Sequence, residues 1–231
     1  MKAVILAGGF GTRISEETHL KPKPMVEIGG MPIIWHIMKI YSYYGINDFI
    51  ICLGYKGYII KEFFENNKEK WDVTCVDTGL KTMTGGRLKK VKDFVQNSFH
   101  FTYGDTLCNV NITELMKLHK QKKKLATVTA CQPPEKYGIL EIENNEVVNF
   151  KEKPPKNSWV NGGFFVLEPE VVDHIENNNT SWEKDTMGKL VKENQLTALK
   201  HTGFYQPMDT LKEKNMLNEL WTSNNAKWKV W

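Results

Sequence analysis

Gly8, Gly9 and Gly11 are followed closely by Arg13, Lys21 and Lys23. Glycines let backbone N–H groups approach an anion, and an arginine can fork onto phosphate oxygens. Pro22 and Pro24 restrict the backbone on either side of Lys23, so that lysine is expected to be held rather than to wave. The chemistry such a set fits is the holding of something phosphorylated. A solvated basic loop is the alternative.

Two carboxylates stand at positions where chain segments end. Asp105 follows Tyr103-Gly104, and Asp209 lies in Gln206-Pro207-Met208-Asp209-Thr210. Brought together they could share one Mg²⁺, which takes few carboxylates and fills its shell with waters and phosphate oxygens. Taken singly, Asp105 could equally be a turn residue and Asp209 a helix cap. Lys151-Glu152-Lys153-Pro154 again sets a lysine before a proline. Glu152 could accept hydrogen bonds from hydroxyls while Lys153 holds a phosphate, or the two could form an exposed ion pair.

Two familiar phosphate loops do not fit. No Gly-Lys-Ser/Thr follows the glycines, so this is not a P-loop. Gly9-Phe10-Gly11 begins a dinucleotide fingerprint, but Ile14 stands where its third glycine belongs, and Cys52-Leu53-Gly54 ends the next strand without an acidic residue.

The elements that must position these residues alternate. Lys2–Leu6, Asp48–Leu53, Val73–Asp77, Phe99–Tyr103 and Leu125–Cys131 read as strands. Between them helices are predicted over Pro32–Tyr44 with Gly45 at its end, over Gly57–Glu65, from a Thr84 cap with Leu88, Val91 and Val95 on one face, and over Thr113–Lys124. Such alternation predicts an α/β fold, a mostly parallel central sheet flanked by helices. Ligands of such sheets bind beyond the carboxyl ends of the strands, where both the glycine loop and Gly104-Asp105 lie. The second half turns β-rich: a hairpin around Asn144-Asn145 within Ile139–Phe150, then a strand over Val160–Leu167 interrupted by Gly162-Gly163. Thr180-Ser181-Trp182-Glu183 matches a capping box that would open a helix toward Glu193, and a last helix is predicted over Thr210–Trp221. No linker or repeat divides residues 1–231, so one domain with a small β-rich appendage is expected.

Composition narrows the partners. A net charge of +4 is too mild to argue for nucleic acid, and Lys120 to Lys124 reads as the solvated end of a helix. No stretch reaches membrane-spanning length, and the opening apolar run is too short for a signal peptide. Cys52, Cys75, Cys108 and Cys131 have no metal-ligand spacing and read as free thiols in a reduced compartment, which points to the cytoplasm. Trp221, Trp228 and Trp231 must be covered, by the sheet or by another subunit.

Taken in order, LAGGFGTR, KPKPM, YGD, FKEKP and NGGFF resemble the sugar-1-phosphate nucleotidyltransferase family. The longer stretches SEETHLKPKPMVEIGGMPIIWHIMK, GYKGYIIKEFF, VDTGLKTMTGGRLKKV and GFYQPMDTLKEKNMLNELW are similar to its cytidylyltransferases, over nearly the whole chain. That resemblance implies a Rossmann-like fold, CTP and a sugar 1-phosphate (glucose 1-phosphate) as substrates, and Mg²⁺ as cofactor. Leu6, Ala7, Gly8, Gly9, Phe10, Gly11, Thr12 and Arg13 would wrap the nucleotide, with Arg13 and Lys23 on its phosphates. Thr82, Gly85 and Arg87 would lie on the nucleotide side. Asp105 and Asp209 would hold the metal, and Arg13, Lys23 and Asp105 would carry catalysis. Glu152 and Lys153 would face the sugar phosphate, with Gly138, Asn161 and Gly162 lining the sugar pocket. It also implies a homo-oligomer. One departure is that only Asn66 to Lys70 joins the helix ending near Glu65 to the strand near Trp71, where the resemblance implies a longer insertion. UTP or dTTP in place of CTP, and another phosphorylated acceptor, are the alternatives within the family. A glycosyltransferase would want an Asp-x-Asp, whereas Thr106 and Leu107 follow Asp105. A non-catalytic nucleotide-sugar sensor would not need Arg13, Lys23, Asp105 and Asp209 together.

Overall fold

The computed structural model describes residues 1–66, 68–132, 139–143, 146–151 and 159–231. Strand β1 (Lys2–Leu6) opens the chain, and after the glycine loop come a short helix α1 (Ser15–Thr18) and a single helical turn over Lys23–Met25. Two short strands, β2 (Glu27–Ile28) and β3 (Met31–Pro32), form a hairpin that leads into α2 (Ile33–Tyr43). Then follow β4 (Asp48–Leu53), α3 (Gly57–Glu65), β5 (Asp72–Asp77), α4 (Thr84–Lys90), β6 (Phe99–Tyr103), β7 (Thr106–Cys108), α5 (Ile112–Lys122) and β8 (Ala126–Cys131). The second half holds β9 (Ile139–Glu143), β10 (Glu146–Lys151), β11 (Val160–Leu167), α6 (Met187–Lys192), β12 (Leu196–His201), β13 (Tyr205–Pro207) and α7 (Leu211–Thr222).

Seven strands form the central sheet in the order β12-β8-β11-β6-β1-β4-β5. β1, β4, β5 and β6 run parallel, as does the β12–β8 pair, while β11 lies antiparallel to both its neighbours. The sheet is thus mostly parallel, as expected. β9 and β10 pair outside it as an antiparallel hairpin, the predicted appendage, whose turn at Asn144-Asn145 lies outside the described residues.

Both faces of the sheet are covered, and β1 shows why its sequence is apolar at every position. Ala3 and Ile5 point into one core with Ile33, Ile37, Leu115 and Leu217, while Val4 and Leu6 point into the other with Leu88, Val91, Trp182 and Leu190. A strand buried on both sides loses the polar alternation of a half-exposed one.

Register then sets the site. Leu6, the last residue of β1, pairs with Tyr103, the last of β6, and the amide of Gly104 donates to the Leu6 carbonyl at 2.9 Å. The glycine loop and Asp105 therefore leave the sheet side by side. β13 pairs with β7, and the Met208 amide donates to the Asp105 carbonyl at 2.9 Å, which brings Asp209 to the same edge.

Three local readings change. Thr84 is not a helix cap; Met83 takes that place, and Thr84 is the first helical residue. Ser181, not Thr180, caps the helical turn at Trp182–Thr186, accepting from the Lys184 amide while Asp185 accepts from the Ser181 amide at 2.7 Å. The tryptophans pack on α2: Trp228 is fully buried, and Trp221, Trp228 and Trp231 surround His36. Burial lowers the His36 pKa to about 4, so the ring is neutral; its Nε2 donates to the Ile28 carbonyl and its Nδ1 accepts from Trp228 Nε1. Three of the four thiols are buried and all four are free.

Candidate active site

A cleft of about 710 Å³ opens at the carboxyl ends of β1 and β6. Leu6 to Arg13, Lys23, Thr82, Arg87, Asp105, Asn161 and Asp209 all line it, with Arg87 packed against the loop at Gly8.

Within it, the predicted phosphate ligands and the predicted metal ligands form one cluster. Lys23 Nζ donates to Asp105 Oδ2 at 2.6 Å and to Asp209 Oδ1 at 2.8 Å. Arg13 Nη1 takes the other oxygen of Asp209 at 2.5 Å. Lys23 is 6 % exposed, whereas the Arg13 side chain is 70 % exposed. Burial works against the Lys23 ammonium, but Asp105 and then Asp209 outweigh it and hold its pKa above the usual lysine value. The lysine is placed by its local fold: Pro22 is extended at φ −67° and Pro24 sits in the turn, as the two prolines require.

Asp105 and Asp209 could hold Mg²⁺. Their oxygens already converge on one cation, the Lys23 ammonium, which is the arrangement a divalent ion needs. No third His, Cys, Asp or Glu completes a cluster among the described residues. Phosphate oxygens and water would supply the remaining ligands.

Arg87 holds the glycine loop by its backbone. The residue is 4 % exposed, and its guanidinium donates to the carbonyls of Leu53 (2.9 Å) and Gly8 (3.0 Å) and to Thr78 Oγ1 (2.6 Å). Burial lowers its pKa from the usual value. Gly11, at φ +67°, makes the turn that lets Thr12 and Arg13 face the cleft. Gly85 and Gly162 lie outside the cleft's lining. Gly85 lets α4 approach the Thr180 carbonyl, and Gly162 lets β11 approach Cys131, where a Cβ would stand 2.8 Å and 2.5 Å from its neighbours. Gly138, Glu152 and Lys153 lie outside the described residues.

The motif reading did not place Tyr103, Thr84, Glu183 and Tyr205 in the site, yet all four line it. Tyr103 OH donates to Glu183 Oε1 at 2.7 Å and accepts from Asn161 Nδ2 at 3.1 Å. Thr84 Oγ1 and Ser181 Oγ donate to Glu183 Oε2. Burial, reinforced by Glu183, raises the Tyr103 pKa and keeps the phenol protonated. Glu183 was hidden because Thr180 to Glu183 imitates a capping box; only Tyr103, at the end of a strand beside Gly104-Asp105, carried a positional signal.

A family model for nucleotidyl transferases matches residues 2–226. The chain is 50% identical to the glucose-1-phosphate cytidylyltransferase of Salmonella typhi, over all of both chains. That alignment runs over 256 positions against 231 residues here, so it holds residues of the relative that this chain lacks. It is 32% identical to the mannose-1-phosphate guanyltransferase of Saccharomyces cerevisiae, covering 91% of this chain and 63% of that protein. Among solved structures, HddC from Yersinia pseudotuberculosis superposes with a TM-score of 0.76 at 23% identity, over 95% of this chain and 99% of the other.

Proposed function

Because the chain belongs to the nucleotidyl transferase family, we propose that it joins CTP and α-D-glucose 1-phosphate to give CDP-glucose and pyrophosphate. Two facts support this reading together: the identity with the Salmonella typhi enzyme and a cleft in which Arg13, Lys23, Asp105 and Asp209 meet under a glycine loop. The second is the observation that carries it, since anions can react with each other only where their charge is neutralised.

An oxygen of the sugar phosphate attacks the α-phosphorus of CTP in line. The new O–P bond forms as the bond to the β-phosphate oxygen breaks, and pyrophosphate leaves. A phosphate monoester is already a nucleophile near neutral pH, so no general base is needed. Arg13 and Lys23 bind and orient the triphosphate. Arg87 holds the loop that covers it, and the Tyr103–Glu183–Asn161 array shapes the acceptor side. Mg²⁺, held by Asp105 and Asp209, would neutralise phosphate charge and polarise the phosphoryl group when bound. Gly138, Glu152 and Lys153 complete the acceptor side in this reading.

No helix among the described residues is long and apolar enough to cross a membrane. The reading carries with it a cytoplasmic enzyme with no nucleic-acid or membrane partner, assembled as a homo-oligomer and supplying precursors for surface polysaccharide. Pyrophosphate release tests it: CTP with glucose 1-phosphate should give signal and CDP-glucose, and UTP or dTTP much less. Product formed with UTP or dTTP, or with another phosphorylated acceptor alone, would replace the substrates named here.

A further inference from the structure

We infer that Lys23 is the internal counter-cation of the metal site, and that its displacement couples the binding of a divalent cation to the binding of the triphosphate. The inference rests on reading the cleft as a triphosphate site.

Among the described residues two carboxylates face two basic groups, with Lys23 on one oxygen of each carboxylate and Arg13 on the second oxygen of Asp209. The Lys23 ammonium lies 2.6 Å and 2.8 Å from those oxygens, and its side chain is 8 % exposed. A divalent cation bound by the same pair would sit about 2.1 Å from carboxylate oxygens. Two cations cannot share that cradle at such distances, because little water separates them and their repulsion is weakly screened. Entry of the metal therefore requires the ammonium to leave.

Bound phosphate gives the displaced lysine a new partner. Its stem is fixed by the turn at Lys23–Met25, and its head faces the cleft lined by Gly8, Gly9 and Gly11. Metal without triphosphate strands Lys23 and Arg13 beside a dication. Triphosphate without metal places anions against two carboxylates whose counter-charges it must share. Bound together, the metal takes the carboxylates and the phosphates take the basic groups. Each ligand then raises the affinity for the other by the same factor, as linkage demands.

Mn²⁺ binding to the full chain, counted by electron paramagnetic resonance in the absence of nucleotide, tests this. Lys23→Met should bind Mn²⁺ at least about tenfold more tightly than the wild type, and Lys23→Arg, which keeps the charge, should not. Calorimetry of CTP binding with and without Mn²⁺ should show a large gain from the metal in the wild type and a smaller one in Lys23→Met. Equal or weaker Mn²⁺ binding by a folded Lys23→Met overturns the inference. So does a wild-type chain whose Lys23 ε-CH₂ resonance stays unmoved at saturating Mg²⁺ without nucleotide, a measurement that needs no variant. Because both overturning measurements use Mn²⁺ or Mg²⁺ without nucleotide, their outcomes are independent of whether the wild type makes CDP-glucose, which judges the substrate reading separately.

Discussion

Arg87 occupies the space that a side chain on Gly8 would need: a Cβ there would stand 2.0 Å from Nη1, while Nη2 holds the Gly8 carbonyl at 3.0 Å. The guanidinium thus acts as a buried strut between the first glycine of the loop and the end of β4, where it also holds the Leu53 carbonyl. A flexible loop becomes a shaped wall because a rigid fork is packed behind it.

Arg87→Met is expected to destabilise the fold by about 2–4 kcal/mol, since buried acceptors at Leu53, Thr78 and Gly8 lose their donor. The KM for CTP should rise as the loop loses its support. Denaturant midpoints and steady-state kinetics measure both. An unchanged KM in a folded variant would make the strut a matter of stability alone.

Tyr103→Phe removes the donor to Glu183 and the acceptor for Asn161 without changing ring packing. It should cost about 1 kcal/mol of stability. The KM for glucose 1-phosphate should rise several-fold while that for CTP changes little. Equal effects on the two substrates would place the array outside the acceptor side.

Much of this scaffold is legible in the sequence. Continuous apolar runs at β1, β4 and β6 announce strands buried on both faces, and Gly45, at φ +81°, ends α2 as its position predicts. Motif order locates Arg13, Lys23, Asp105 and Asp209. Their mutual pairing is not legible, because Lys23 is separated from its two partners by 82 and 186 residues and only strand register brings them together. Glu183 is illegible for another reason. A glutamate three residues after a threonine satisfies the local pattern of a cap, and nothing local reveals that Ser181 and Asp185 perform that task instead. Gly162-Gly163 marks an interruption of β11 by composition, but the bulge itself, with Gly163 at φ +78° and a register shift between Asn161 and Phe165, is a property of pairing.

Acid should weaken the fold through two buried histidines. His36 and His100 each have a pKa lowered by burial to about 4, against 6.5 when unfolded. Between those values the unfolded chain binds protons that the folded chain refuses, so stability falls as pH drops from 6.5 to 4 and is level with respect to these groups above 6.5. Each could cost up to about 3 kcal/mol over that window. Urea denaturation at pH 8, 6 and 5, followed by tryptophan fluorescence, should show the decline, and His36→Gln should flatten part of it. A flat profile in the wild type would mean that both rings protonate freely in the folded state.

Glu213→Ala should damage catalysis more than it damages the fold. Glu213 Oε2 accepts from the amides of Asp209 (2.6 Å) and Thr210 (2.9 Å), so one carboxylate both closes the capping box of α7 and pins the backbone that presents Asp209. Thr210→Ala is the comparison that separates the two tasks. It removes the other half of the box, a 3.4 Å bond from the Glu213 amide, but leaves the Glu213–Asp209 contact in place. Each variant should lose about 1 kcal/mol of stability, the ordinary worth of a helix cap. If Asp209 must be held against Lys23 and Arg13 for the charges of the site to balance, only Glu213→Ala should lose turnover by tenfold or more, with the loss partly recovered at high Mg²⁺. Equal turnover in the two variants, measured by pyrophosphate release beside their thermal midpoints, would reduce Glu213 to a cap.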